Sequence, residues 1–280
     1  MQVIDNITQL QKALGESAGR IGFVPTMGYL HAGHLELVRK AKQLTDIVVV
    51  SIFVNPTQFG PDEDFDKYPR DLNHDFALLK GLDCDICFIP TVSEMYPDNN
   101  PPRHLKADPK LSALACGDSR PGHFDGVVTV VARLFDIVAP QVAFFGLKDY
   151  QQFIIIKQMT EDEGYPISIV GVPTVREEDG LALSSRNKYL TAEQRQQAPL
   201  FSKSLAAIAE AYRSDSAFNV DKAQDVFEEY LSQIPDAKID YLQILNRETL
   251  EPVDSAQPDS AIVLAAVYIG KTRLIDNREL

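Results

Sequence analysis

The sequence predicts an α/β chain, a parallel sheet with helices on both faces, followed by a small α+β domain. Three observations carry this. From Arg20 to Val172, apolar strand-like runs alternate with segments of helical spacing, the pattern of right-handed βαβ units. The run Ile47–Val54 (IVVVSIFV) is almost unbroken in its apolarity, as expected of a central parallel strand covered on both faces. After Pro173 the order changes to amphipathic helices and then short apolar strands, which suits a separate α+β module.

Taken in order, Arg20–Thr26 predicts a strand that ends at a Met27–Gly28 turn, and Leu37, Ala41 and Leu44 recur at helical spacing behind it. Ile47–Val54 is the next strand, Asp71–Lys80 a helix and Ile86–Ile89 a short strand. Phe124–Val138 reads as a helix, Val142–Phe145 as a strand, Asp149–Glu163 as a helix and Ile167–Val172 as a strand. Val175–Tyr189 is polar and turn-rich, hence a loop. Thr191–Arg213 and Val220–Ile234 are amphipathic helices. Ile239–Leu245, Ala261–Ile269 and Thr272–Ile275 read as antiparallel strands separated by Pro and Asp/Ser clusters. The change of pattern places the boundary near residues 173–176, giving domains 1–174 and 175–280.

Composition narrows the function. With 280 residues, 45% hydrophobic and 24% charged, the chain can bury a full core without staples. A formal charge of −13 and a pI of about 4.8 disfavour polyanions, so no nucleic-acid or anionic-membrane partner is expected. Three cysteines, no signal pattern and no run long enough to span a bilayer point to the cytoplasm.

Five segments could carry chemistry. In Phe23–His34 (FVPTMGYLHAGH) a strand, a glycine turn and a helix start bring His31 and His34 to one face. Unpaired helix N–H groups and two imidazoles there make a phosphate cradle, although caps or surface histidines explain the pair equally simply. A zinc reading lacks a third ligand nearby. Asn55–Gly60 follows the buried strand; Gln58 offers a donor and an acceptor, though the segment also suits an ordinary turn. The charged stretch onward to Arg70 is expected to be mobile, as a lid would be. Ser119–Gly126 holds Arg120 and His123 around a Pro-Gly turn and reads best as a capped loop. In Phe144–Gln152, Lys148 stands at a helix start against the dipole, which an anionic partner would explain, and Gln152 lies one turn further in. Ser184, Ser185 and Arg186 are phosphate donors in a loop, a weak signal alone.

Two signals carry nothing. Cys84–Cys87 is a C-x-x-C in a predicted strand, where positions three apart face opposite sides. Gly270-Lys271-Thr272 lacks the upstream glycine of a P-loop, having Ala265 instead.

Taken together, His-x-Gly-His after a first strand with a distant Ser-rich basic loop resembles the nucleotidyltransferase superfamily. The ordered set PTMGYLHAGH, VNPTQF, RPGHFDG, GLKDYQQ and GLALSSRN resembles the pantothenate synthetase (pantoate–β-alanine ligase) family over nearly the whole chain. The resemblance implies a Rossmann-like N-terminal domain, a C-terminal domain that closes over the site, Mg²⁺, and a cytoplasmic homodimer. It implies an AMP-forming ligase of coenzyme A biosynthesis: ATP and (R)-pantoate give pantoyl adenylate and pyrophosphate, and β-alanine then gives pantothenate and AMP. By motif, His34, His31 and Lys148 would be catalytic. ATP would be bound by Met27, Gly28, Tyr29, Leu30, His31, Ala32, Gly33 and His34, by Gly146, Leu147, Lys148 and Asp149, and by Val175, Leu183, Ser184, Ser185 and Arg186. Gln58 and Gln152 would hold pantoate, and Gln58 also β-alanine. Leu147 stands where the family usually has Glu. The sequence leaves three rivals: a nucleotidyltransferase for a phosphorylated acceptor, a relative of the aminoacyl-tRNA synthetases, and a nucleotide-binding regulator.

Overall fold

In the computed structural model, which describes residues 1–61, 63–215, 217–253 and 260–280, six strands form one sheet. They are β1 (Gln2–Ile4), β2 (Ile21–Thr26), β3 (Ile47–Ile52), β4 (Ile86–Phe88), β5 (Val142–Gly146) and β6 (Ser168–Val172). The order is β1-β4-β3-β2-β5-β6 and every pairing is parallel. The chain winds outward from β2 through β3 to β4, then returns to β5 on the other side of β2. Such a reversal opens a crevice at the carboxyl ends of the two central strands, where ligands bind in open α/β sheets.

Side-chain alternation builds the two layers. Val24, Val48, Val50 and Phe144 face one side and cluster with Leu37, Val38 and Ala41 of the helix Ala32–Leu44. Phe23 and Phe145 face the other side and meet Phe135 edge-on, with ring centroids 6.4 and 6.5 Å apart. Phe135 sits on His123–Val138, a helix buried along most of its length, as its twelve buried positions show. Each such ring contributes about 1.5–3 kcal/mol by leaving water.

Some predicted elements shift. β1 and the helix Ile7–Gly15 escape the apolar-run reading because β1 spans only three residues. Cys84 precedes β4, and both thiols lie in the same apolar cluster, so burial rather than opposite facing separates them from chemistry. Burial pushes Cys84 up to about 11 and Cys87 up to about 12.

This sheet belongs to one compact unit made of Met1–Pro109, Arg120–Leu147 and Ile155–Pro173; the other comprises Lys110–Ser119, Lys148–Ile154 and Thr174–Leu280. In the second unit β7 (Ala237–Asn246), β8 (Ala261–Ile269) and β9 (Thr272–Glu279) form an antiparallel meander. β8 is central and nearly wholly buried. Gly270 (φ 58°) and Lys271 join Ile269 to its partner Thr272, so the P-loop-like tripeptide is a hairpin turn. The helix expected over Thr191–Arg213 is two, Ala192–Gln197 and Pro199–Ser214, because Pro199 has no N–H to continue the ladder. β9 outruns its predicted end because Asp276 is buried against Arg176 (2.7 and 2.9 Å) and Ser202 (2.7 Å), a pairing that no apolar pattern announces. Most of the Pro and Asp/Ser cluster before β8, residues 254–259, lies outside the described residues, as does Asp62 in the 61–70 stretch.

The early pieces of the second unit are fastened by Gln151. Its carbonyl accepts from Cys116 N–H (3.0 Å) and its amide donates to the Leu111 and Leu114 carbonyls (2.8 and 2.7 Å). Cys116 Sγ lies 3.1 Å from the Tyr241 hydroxyl, and Arg273, paired with Asp240 at 2.7 Å, also donates to Ser119 Oγ (3.1 Å). Among the described residues, no helix is long and apolar enough to cross a membrane.

Candidate active site

β2 delivers the chain to Thr26, whose hydroxyl donates to the Ser51 carbonyl (2.7 Å) and accepts from Gly28 N–H (3.1 Å). The turn requires φ of +80° at Gly28, and a Cβ there would stand 2.8 Å from Ile52 Cγ2, so glycine alone fits. The next two amides, of Tyr29 and Leu30, donate to the buried Asp75 carboxylate at 2.9 and 2.7 Å. Burial raises the pKa of that carboxyl, and the two N–H bonds oppose the rise.

The sequence suggests two histidines inside a helix; the structure makes His31 the N-cap itself. His31 Nδ1 accepts from Gly33 N–H (3.2 Å), and His34 Nδ1 accepts from His31 N–H (3.4 Å). The result is a capping box of two imidazoles, with rings 4.1 Å apart. Because both Nδ1 atoms accept, the neutral rings carry their protons on Nε2. The histidines therefore cap the helix and present N–H donors from the same rings; the two readings left open by the sequence are compatible.

Gln58 ends the short 3₁₀ turn Pro56–Gln58 after β3. Its Oε1 accepts from Asn55 Nδ2 (3.1 Å) and its Nε2 lies 3.4 Å from Met27 Sδ, so the structure brings Gln58 to the β2 turn. Asn55, 1% exposed, also donates to the Gly126 carbonyl (3.2 Å) and accepts from the Tyr96 hydroxyl (2.8 Å). In the stretch after Gln58, expected to be mobile, several described residues make specific contacts. Phe59 packs on Phe65 and Tyr68, and Glu63 pairs through both oxygens with Arg120 at 2.6 Å. Burial raises the Glu63 carboxyl, but the bond and charge of Arg120 outweigh it and hold the group below 4.5. Arg120 and His123, which the sequence reads as loop and cap, thus adjoin the site residues.

Gly146 closes β5, and Leu147–Asp149 is a 3₁₀ turn. Lys148 and Gln152, with Val175 and residues 183–186, belong to the second unit. Lys148 Nζ lies 3.8 Å from Asp149, and its carbonyl accepts from Asn277 Nδ2 (2.8 Å). Lys148, Ser184, Asn187 and Asp276 line a cavity of about 10 Å³, room for one water. The Asn187 Oδ1 atom is buried and has no hydrogen-bond partner among the described residues. Val175 and Leu183 are joined by a backbone bond (3.0 Å), and Ser184 Oγ caps the turn Ser185–Tyr189 by accepting from Arg186 N–H (3.2 Å). Of the adjacent glutamines, Gln151 is spent on fold contacts while Gln152 is half-buried. Asn55, Asp75, Tyr96 and Asn277 were not singled out from the sequence; only burial and pairing reveal them.

Comparison with known proteins shows the family. The family model described as pantoate-beta-alanine ligase matches residues 2–279. The pantothenate synthetase of Pseudothermotoga lettingae is 49% identical over 99% of this chain and 98% of its own. The crystal structure of pantothenate synthetase from Thermus thermophilus superposes with a TM-score of 0.94 at 47% identity, covering 100% of this chain and 99% of that one. That of the Francisella tularensis pantoate-beta-alanine ligase, complexed with beta-gamma ATP and beta-alanine, gives 0.80 at 39% identity, covering 99% and 97%. The chain belongs to the pantoate–β-alanine ligase family.

Proposed function

We propose that the chain condenses (R)-pantoate with β-alanine at the expense of ATP, through pantoyl adenylate, releasing pyrophosphate and AMP. Beyond family membership, one observation carries the chemistry: two imidazoles with fixed Nδ1 acceptors and Nε2–H donors follow the turn at the carboxyl end of β2, and Gln58 reaches the same turn at Met27. In the first step a pantoate carboxylate oxygen attacks the α-phosphorus and the bond to the β-phosphate oxygen breaks. The carboxylate is already ionised at neutral pH, so no base is required. His31 and His34 donate to phosphate oxygens as charge develops, with His34 the principal stabiliser, and the helix start adds its partial positive charge. Lys148 supplies a cation, and Ser184, Ser185 and Arg186 supply donors to the triphosphate.

The remaining assigned positions act through backbone and shape. Met27, Gly28, Tyr29, Leu30, Ala32, Gly33, Gly146, Leu147, Asp149, Val175 and Leu183 line the nucleotide. Leu147 offers no charged side chain. Gln58 and Gln152 hold pantoate by neutral amides, which suit a hydroxy acid, and in-line placement supplies much of the rate. In the second step the neutral amine of β-alanine attacks the adenylate carbonyl carbon and AMP leaves. Exclusion of water protects the mixed anhydride.

Mg²⁺ bound with ATP would supply positive charge to offset that of the pyrophosphate. Among the described residues there is no cluster of three metal-ligating side chains. The half-exposed Asp149 carboxylate beside Lys148 would be the protein group nearest to hand for such an ion, which the phosphate oxygens of ATP would chiefly hold. We place the enzyme in the cytoplasm as a homodimer. The decisive assay measures AMP with ATP and pantoate, with and without β-alanine. AMP that depends on β-alanine is expected; a stable nucleotidylated product, or ATP binding without pyrophosphate release, overturns the reading.

A further inference from the structure

Gln58 is held at two points. Asn55 fixes the side-chain oxygen, which turns the amide nitrogen toward Met27. The Gln58 backbone carbonyl lies 2.7 Å from His123 Nδ1. A carbonyl only accepts, so the ring donates from Nδ1, and the neutral ring has its lone pair on Nε2. Arg120 Nη1, which only donates, stands 2.9 Å from that Nε2. A protonated ring would set two donors face to face beside a cation. Arg120 is itself aimed by its two bonds to Glu63.

A second contact joins the same elements. A Cβ on Gly126 would collide with the Thr57 carbonyl oxygen and stand 2.8 Å from Gln58 Cα. The first turn of the helix His123–Val138 therefore lies directly on the 3₁₀ turn that carries Gln58, and that helix is anchored on β2 through Phe23 and Phe135.

We propose that His123 is a positioning residue for pantoate binding: it holds the Gln58 backbone from Nδ1 and is kept in that tautomer by the Glu63–Arg120 pair. The proposal rests on the reading of Gln58 as a pantoate-binding residue. Gln58 touches substrate; His123, Arg120 and Glu63 act through it.

The test uses the full chain and steady-state AMP release, varying pantoate and ATP separately, for wild type, Gln58→Ala, His123→Ala, His123→Asn, His123→Gln and Glu63→Gln. His123→Ala is expected to raise the pantoate KM about tenfold and leave the ATP KM within about twofold. Asparagine places an N–H where Nδ1–H stands and is expected to restore the pantoate KM, whereas glutamine, which reaches toward Nε2, is not. Glu63→Gln leaves the ring in place and is expected to shift the pantoate KM in the same direction by less, so the proposal stays testable if His123→Ala fails to fold. An unchanged pantoate KM in a folded His123→Ala, or equal losses in Ala, Asn and Gln, overturns it. An unchanged pantoate KM in Gln58→Ala instead overturns the role of Gln58 itself. Independently of activity, ¹⁵N spectra of the free protein are expected to show His123 protonated at Nδ1, and an Nε2–H tautomer overturns the proposal.

Discussion

At the residue scale, His31 and His34 cap the helix, and the proposed reaction gives the same two rings a second task as donors to phosphate. Substitution by alanine would confound cap and donor, since losing an N-terminal cap costs about 0.5–2 kcal/mol. Asparagine separates them, because its side-chain oxygen can accept where Nδ1 does. We expect His34→Asn to melt near the wild-type temperature while pyrophosphate release falls about 10²–10³-fold; near-normal release would count against phosphate contact by His34. The motif was legible in the sequence because glycine, histidine and strand end sit within a dozen residues. Asp75 was not, because a buried carboxylate bonded to two amides looks like any acidic residue of a helix. Glu63 gives a pH signature. Its carboxyl is held below 4.5 in the folded chain, so the clasp is fully stabilising above that value and is lost as pH falls through the lowered one. Thermal midpoints measured from pH 7 to pH 3 should therefore fall less steeply in Glu63→Gln than in wild type.

At the element scale, the helix His123–Val138 links core and site. Its last turn packs Phe135 against Phe23 and Phe145, and its first turn carries His123 and Gly126 against the Gln58 turn. We expect Phe135→Ala to cost about 3–5 kcal/mol in urea unfolding, and an effect below about 1 kcal/mol would refute that packing account. Sequence periodicity located this helix within one residue of its observed start, since twelve buried positions leave little ambiguity. Periodicity failed where polar contacts set the boundary. Pro199 splits one predicted helix into two, and Asp276 extends β9 by pairing with Arg176 and Ser202.

At the scale of the whole molecule, alternation of strand and helix made the parallel sheet legible, while the second unit gathers three separate segments, the longest beginning at Thr174. The inclusion of residues 110–119 and 148–154 in that unit was not legible, because the carboxamide of Gln151 and the Cys116–Tyr241 contact have no compositional trace. A fragment of residues 174–280 would leave Tyr241 and Arg273 without Cys116 and Ser119, and its thermal transition followed by circular dichroism should be lower and broader than that of the full chain. A transition as sharp and as high would show those segments to be dispensable. The cysteines add a consequence of their own. All three are free and buried, two in the first unit and one in the second. An alkylating reagent can reach each thiol only when its surroundings open. Pulse labelling read thiol by thiol thus times the opening of each unit separately, with no introduced probe: equal rates at Cys84, Cys87 and Cys116 would mean that the chain opens as one cooperative body, and unequal rates that it breathes in parts.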